Sequence, residues 1–83
     1  PVPAGTKLLD VRVTGTLCTA VLSEEFSACD TGREAASLAV RSVVATLCAL
    51  SEIEQVQLQL QSGEDLVYCS IAQPLKPEWS WYN

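Results

Sequence analysis

The sequence lacks the residues on which most enzyme chemistry depends. It contains no histidine, which is the usual general base of nucleophilic triads and the commonest protein ligand of metal ions. Mechanisms of the Ser-His-Asp and Cys-His types are therefore excluded. A glycine-rich loop that could hold a phosphate group is also missing. We predict a domain with no enzymatic activity of its own, no cofactor and no bound metal.

Basic residues and long apolar runs are also scarce. Five basic against ten acidic residues give a net charge of −5, whereas nucleic acid and anionic membrane surfaces attract clustered Lys and Arg. We expect no nucleic-acid partner. No apolar run approaches the roughly 18 residues that cross a bilayer. Neither a signal peptide nor an initiating Met is present, so we expect a mature product or a piece of something longer.

The chain is short, and 48% of its 83 residues are apolar. This length and composition predict one small domain with one core, spanning residues 1–83. Residues 1–6 are rich in Pro and Gly and predict an extended lead-in. Residues 74–83 predict an extended tail with three of the five aromatic residues, Trp79, Trp81 and Tyr82. These rings either fold back onto the domain or contact a neighbouring segment or chain.

The longest periodic segment, Thr31 to Leu50, predicts the main helix. Thr31 and Glu34 have the spacing of a capping box. A stripe of apolar residues at helical spacing predicts the buried face: Ala36, Ala39, Val40, Val43, Val44, Leu47 and Leu50. The opposite face has no charge beyond Arg41, where an exposed helix normally carries Lys or Glu. Its residues are a candidate interaction surface: Leu38, Ser42, Ala45 and Ala49.

Alternation of apolar and polar residues predicts four strands, at positions 9–13, 18–22, 56–60 and 67–71. The first is expected to be half-buried and to form a hairpin with the second across the turn at residues 14–16. Ser23 and the acids that follow predict a short helical turn that places Phe26 in the core. The predicted fold is α+β, a two-layer sandwich of order β-β-α-β-β in which the main helix packs on one face of a mixed sheet.

Glutamines occupy the alternate positions of the third predicted strand and form an uncharged row on the open face of the sheet. A merely polar surface facing solvent is the commoner meaning of such a pattern. A binding surface is the alternative, and its candidate residues are Gln55, Gln57 and Gln59. The paired acids along the chain are expected to be solvated carboxylates at the ends of elements.

Four pieces of sequence, in order, resemble a known family. They are PVPAGTKLLDVRV, VLSEEF, LAVRSVVATLCALSEIEQVQLQL and IAQPLKP, and together they resemble the GerMN domain, the module of sporulation and spore germination. The resemblance covers almost the whole chain. The sequence departs from the family pattern at Ser51 and Glu52, where the family tends to have Pro-Gly, and at Val67 and Tyr68, where it tends to have glycines.

The resemblance implies a non-catalytic α+β module, similar to ring-building domains, in an exported protein of the cell envelope that is often a membrane-anchored lipoprotein. Two functions follow as expectations. One is a protein–protein interaction module in an envelope or sporulation assembly, with other proteins or with itself. The other is a wall-targeting domain beside a hydrolase, in which the glutamine row and the tail aromatics bind peptidoglycan.

The four cysteines, at positions 18, 29, 48 and 69, contain no C-x-x-C pair, and no structural zinc site is expected. Disulfides and free thiols both remain open. An exported location favours bridges, whereas inward strand positions at Cys18 and Cys69 favour small buried thiols. The helix separates Cys29 from Cys48 by on the order of 28 Å. Cys18 and Cys48 are both expected toward the far end of the sheet, so this pair is the first candidate for a bridge.

Overall fold

The computed structural model of the protein describes residues 2–50 and 52–77. Two strands come first, β1 (Leu8–Thr14) and β2 (Leu17–Leu22). A 3-10 helix (Glu24–Cys29) and the main helix α1 (Arg33–Cys48) follow, and strand β3 (Gln55–Leu60) comes after them.

The three strands form one mixed sheet in the order β1-β2-β3. β1 is antiparallel to β2, and β2 is parallel to β3, so that Ala20 on the central strand lies between Val11 and Leu58. The parallel pairing requires a crossover, which the 3-10 helix and α1 provide. Side chains from α1, β2 and β3 form a common core. The predicted α+β class, with a mixed sheet and one main helix, is confirmed.

The hairpin and the short helical turn also form as predicted. A two-residue loop, Gly15 and Thr16, joins β1 to β2. Gly15 has φ of 60°, the left-handed conformation that such tight hairpin loops need and that glycine adopts without strain. The 3-10 helix begins after Ser23 and places Phe26 in the core with no exposed surface.

The helix is shorter than predicted, and its capping box does not form. α1 begins at Arg33 with Gly32 as the N-cap residue, and no side chain caps it. The Thr31 amide instead donates to the Cys29 carbonyl at 2.9 Å. Thr31 therefore belongs to the turn that closes the 3-10 helix, one residue too early to cap α1. At the other end Leu50 lies beyond the helix and is 58% exposed, so its predicted burial is wrong.

β1 is exposed along its whole length, although the alternation in its sequence predicts a half-buried strand. Val11 and Val13 pair with Ala20 and Cys18, whose side chains are buried on the face that carries α1. Residues that pair across an antiparallel ladder share a face. Val11 and Val13 therefore lie on the correct face, but α1 packs over β2 and β3 and does not reach as far as β1.

Within residues 52–77 no strand follows β3, so the predicted fourth strand is wrong. The amides of residues 66–71 are used differently. Two carboxylates bind four of them: Asp30 accepts from Val67 and Tyr68, and Asp65 accepts from Leu66 and Ile71. An amide that donates to a carboxylate is not available for a sheet ladder. The chain meets β3 only later, where Leu75 and Val56 form an isolated antiparallel bridge with both N···O distances at 2.8 Å.

Candidate interaction surfaces

The outward face of α1 carries the first group of candidate residues. Leu38 is 37% exposed, Ala45 and Ala49 are exposed, and Ser42 is half-buried. The Thr46 hydroxyl, which lies beside this patch, donates to the Ser42 carbonyl at 2.8 Å. Its hydrogen bond is therefore made within the helix. The middle and end of this face therefore present small and apolar groups without a charge.

Two shallow depressions border the helix. One, of about 420 Å³, is lined by Leu38 together with Pro3, Ala28, Cys29, Thr31 and Ala35. The other, of about 220 Å³, lies between α1 and the start of β1 and is lined by Val2, Leu8, Leu22, Ser42, Val43, Thr46 and Leu47. Both are mainly apolar, which makes this side of the molecule suited to another protein surface rather than to an ion.

The glutamine row on β3 is less available than its sequence pattern indicates. Gln55 and Gln57 are half-buried, and Gln59 is exposed. The Gln57 side-chain amide donates to the Ile71 carbonyl at 2.6 Å and to the Leu58 carbonyl at 3.2 Å. Gln57 therefore connects the segment after β3 to the sheet through a hydrogen bond. Gln59 is the one of the three candidate glutamines that is exposed and available to a ligand.

This difference predicts that two alanine variants on the same strand will differ in stability. Gln57→Ala should lower the free energy of unfolding by about 1 kcal/mol, because it leaves the Ile71 carbonyl without its donor. Gln59→Ala should change it by no more than about 0.5 kcal/mol, as exposed substitutions usually do. Urea denaturation of both variants measures the difference. Equal stabilities would contradict the structural role of Gln57.

Three acids, Glu24, Asp30 and Asp65, bind backbone amides, a role that was not predicted from the sequence. Asp65 accepts from the Ile71 amide at 2.6 Å, the Leu66 amide at 2.8 Å and the Ser70 hydroxyl at 2.6 Å. Burial raises the pKa of Asp65, but the hydrogen bonds from Ser70, Ile71 and Leu66 outweigh it and hold the pKa below its usual value. The useful signal in the sequence is an Asp within a loop of small polar residues, where its side chain readily binds nearby amides.

Two further carboxylates bind the same segment from the 3-10 helix side. Asp30 accepts from the amides of Val67 and Tyr68 at 2.7 and 2.9 Å. Glu24 accepts from the Ser62 amide at 2.8 Å. A depression of about 350 Å³, lined by Gln57, Leu58, Gln59, Gly63, Glu64, Asp65, Ile71 and Ala72, opens next to this segment.

All four cysteines are free thiols. Burial raises the pKa of each of them, and at Cys69 a hydrogen bond with Ser37 acts in the opposite direction. A thiol with a raised pKa stays protonated near neutral pH and is a weak nucleophile and a weak metal ligand. Among residues 2–50 and 52–77, no three Cys, Asp or Glu side chains are grouped in a way that could hold a metal ion.

The remaining candidates, Trp79 and Trp81, lie outside the described residues, as does Tyr82. In the part of the chain that the structure describes, no helix is long and apolar enough to cross a membrane.

Comparison with known proteins adds to this description. A crystal structure described as "Putative Lipoprotein from Clostridium perfringens" has the same fold, with a TM-score of 0.76 over 90% of this chain and 18% sequence identity. This chain spans 52% of the length of that protein. No curated protein matches the sequence. The model of the Germane family, described as sporulation and spore germination, matches residues 1–66. The chain therefore belongs to the Germane family of sporulation and spore germination domains.

Proposed function

We propose that this domain is a non-catalytic protein–protein interaction module of an exported protein, and that it works in an envelope or sporulation assembly. The observation that carries the proposal is the outward face of α1, on which Leu38, Ala45 and Ala49 are exposed without a charged neighbour beyond Arg41. Small side chains allow another backbone to approach closely, and an exposed leucine supplies apolar contact area.

The chemistry of the polar groups supports a binding role rather than a catalytic one. Asp30, Asp65 and Glu24 bind amides of their own chain, and the thiols are held in their protonated form. A general base needs a free lone pair directed at a substrate. Membership of a sporulation and germination family and structural similarity to a lipoprotein-like protein support a location outside the cytoplasm, in the cell envelope.

A substitution at the centre of the helix face tests this proposal. Ala45→Arg adds bulk and charge to the patch while helix propensity hardly changes. We expect it to leave the thermal unfolding midpoint within a few degrees of the parent and to weaken capture of partners from envelope extract by about tenfold or more. The measurement is a pull-down with quantitative mass spectrometry, supported by a thermal melt.

Ala72→Arg is the matched control. Ala72 is also exposed, but it lies beside the glutamine row, at the depression next to Asp65. Loss of partners with Ala72→Arg and not with Ala45→Arg would show that the helix is the wrong surface.

The wall-targeting function remains the second candidate because of that depression. Gln59 and Glu64 give it exposed hydrogen-bonding groups of the kind that bind sugars and peptides. Sedimentation of the domain with purified peptidoglycan distinguishes the two functions. Binding that is lost with Gln59→Ala and retained with Ala45→Arg would favour the wall.

A further inference from the structure

The outer edge of β1 is an unused sheet edge. β1 is the terminal strand of the sheet and pairs with β2 alone among the described residues. Proteins usually protect such edges with a covering loop, proline, inward charges or a bulge. In the described part of the chain a bulge at Leu9, which has no partner on β2, interrupts β1 near its start, and Asp10 and Arg12 add charged side chains to the strand. The four residues from Asp10 to Val13 form an exposed edge in regular register.

The register of the hairpin determines which backbone groups point outwards. A two-residue loop connects Thr14 to Leu17, and in such a hairpin the flanking pair is hydrogen-bonded. Because the direction alternates along an antiparallel strand, Arg12 and Asp10 also direct their backbone groups towards β2. The amides and carbonyls of Val11 and Val13 then face away from the sheet and are available to another strand.

The side chains along this edge are complementary to those of a second copy of β1 that runs antiparallel to the first. The residues run Leu9, Asp10, Val11, Arg12, Val13. In an antiparallel pairing centred on Val11, Asp10 of one copy is opposite Arg12 of the other, and the two Val11 residues are opposite each other. Each of these cross-strand pairs joins an apolar residue to an apolar one or an acid to a base, and such pairs stabilise a sheet.

We propose that β1 pairs with β1 of a second copy of this chain, antiparallel and centred on Val11, to form a continuous six-stranded sheet. The charges support this occupant. Asp10 and Arg12 are on the same strand with Arg12 Nε 3.1 Å from Asp10 Oδ2, and their side chains remain 48% and 79% exposed. In the dimer, Asp10 and Arg12 of each chain each face a residue of opposite charge on the β1 strand of the other chain. The two pairs are related by the two-fold axis that a dimer of identical chains has.

The apolar side chains support the same occupant. Val11 and Val13 are 43% and 58% exposed, and Leu9 is 45% exposed. Val11 and Val13 face the side of the sheet that carries α1 but lie beyond its reach. Two copies side by side would place the two Val11 side chains next to each other, between the two α1 helices, with Val13 of each copy nearby. The exposed fractions of Val11 and Val13 would then decrease.

This inference deepens the proposed function by naming a partner, a second copy, but it uses a surface other than the outward face of α1. The two can therefore fail separately. Ala45→Arg should leave the pairing of β1 unchanged, and changes in β1 should leave the helix patch unchanged.

The test uses two charge variants of the 83-residue chain. Asp10→Arg gives β1 two basic side chains, and Arg12→Asp gives it two acidic ones. Each variant places like charges opposite one another in the proposed register, and each should weaken self-association by about tenfold or more.

Two further samples restore the complementarity of the charges. When the two variants are mixed, both basic side chains of one chain lie opposite both acidic side chains of the other, so a one-to-one heterodimer should form. The double variant Asp10→Arg with Arg12→Asp exchanges the two charges and should self-associate like the parent. Sedimentation velocity over a range of concentrations measures the single variants, the mixture, the double variant and the parent.

Hydrogen exchange gives a second and independent measurement. The Val11 amide should exchange more slowly as the concentration rises, whereas the exchange of Asp10 and Arg12 should not change. Val11→Pro removes one outward amide, is tolerated in an edge strand, and should abolish the dimer while circular dichroism remains native. A parent chain that stays monomeric, a mixture that stays monomeric, or a dimer that survives Val11→Pro would overturn the proposal. Pairing of β1 with an extended segment of a different protein instead of a second copy would also overturn it.

Discussion

Replacement of Leu58 with aspartate should unfold the domain. Leu58 has no exposed surface and lies on the central part of β3, paired with Ala20 and facing the core under α1. An aspartate there would be a charge without a partner in a dry environment, at a cost of several kcal/mol. This is comparable with the whole stability of a small domain, about 5 to 15 kcal/mol. Far-UV circular dichroism at about 25 °C should show loss of the native spectrum.

Val43→Asp is the control for this prediction. Helical spacing alone places Val43 in the same buried stripe as Val44, but in the structure Val43 is half-buried and lines the depression between α1 and β1. An aspartate there can reach water, so the variant should stay folded with a stability reduced by about 1 to 2 kcal/mol. If Leu58→Asp melts like the parent, the packing of α1 on β3 is wrong.

Removal of the Asp65 side chain should loosen the segment after β3 without detaching it, because Asp30 and Gln57 still bind it, and the rest of the domain should remain folded. Asp65→Ala deletes three hydrogen bonds, to the amides of Leu66 and Ile71 and to the Ser70 hydroxyl. We expect the free energy of unfolding to fall by about 2 to 3 kcal/mol, since hydrogen bonds to a charged group are worth more than neutral ones. Urea denaturation gives this value. Hydrogen exchange should show faster exchange of the Ile71 amide with little change in β2.

Glu64→Ala is the matched control, because Glu64 is the neighbouring acid and its side chain is exposed. Its stability should stay within about 0.5 kcal/mol of the parent. The pKa of Asp65 is lower in the folded protein than its usual value, so its charged form stabilises the fold fully above an unfolded pKa of about 3.9. This contribution is lost as the pH falls through the folded pKa. The difference between parent and Asp65→Ala should therefore narrow in acid, and a difference that is constant from neutral pH to acid would contradict the role of the carboxylate.

The elements that depend on local periodicity were predictable from the sequence. The stripe around Val40 and Val44 fixes the buried face of α1, and the alternation around Leu58 fixes the buried face of β3. The start of α1 was not predictable in the same way. Thr31 has the right spacing to Glu34, but the preceding 3-10 helix uses the Thr31 amide in its own closing turn.

The prediction of a fourth strand was wrong for a different reason. The alternation of Val67, Cys69 and Ile71 is typical of a strand, but amides of residues 66–71 are bound by Asp65, which directly precedes them, and by Asp30 from elsewhere in the chain. Such hydrogen bonds between side chains and backbone leave no periodic signal. Asp65 is one of the paired acids expected to be solvated, but its carboxylate binds the Leu66 and Ile71 amides instead.

Some features of the candidate surfaces were predictable from the sequence, and others were not. The absence of charge beyond Arg41 is visible in the sequence, and it identifies the exposed face of α1 around Ala45. The role of Gln57 and the exposure of Val11 are not visible, because they depend on where the segment after β3 runs and on how far α1 extends sideways over the sheet. That lateral position is a property of the packed structure and not of any single element.

The parallel pairing of β2 with β3 also determines the order in which the chain can fold. The β1–β2 hairpin joins close neighbours and can form within microseconds, whereas Ala20 meets Leu58 only after the 3-10 helix and α1 have emerged between them. The chain loses conformational entropy when it closes such a long loop, and it does so before the contacts between β2 and β3 can compensate for that loss. A chain that grows from its N-terminus therefore carries a complete α1 with an uncovered apolar face until β3 has left the ribosome. We expect this interval, rather than the native state, to be the period in which the protein most depends on chaperones.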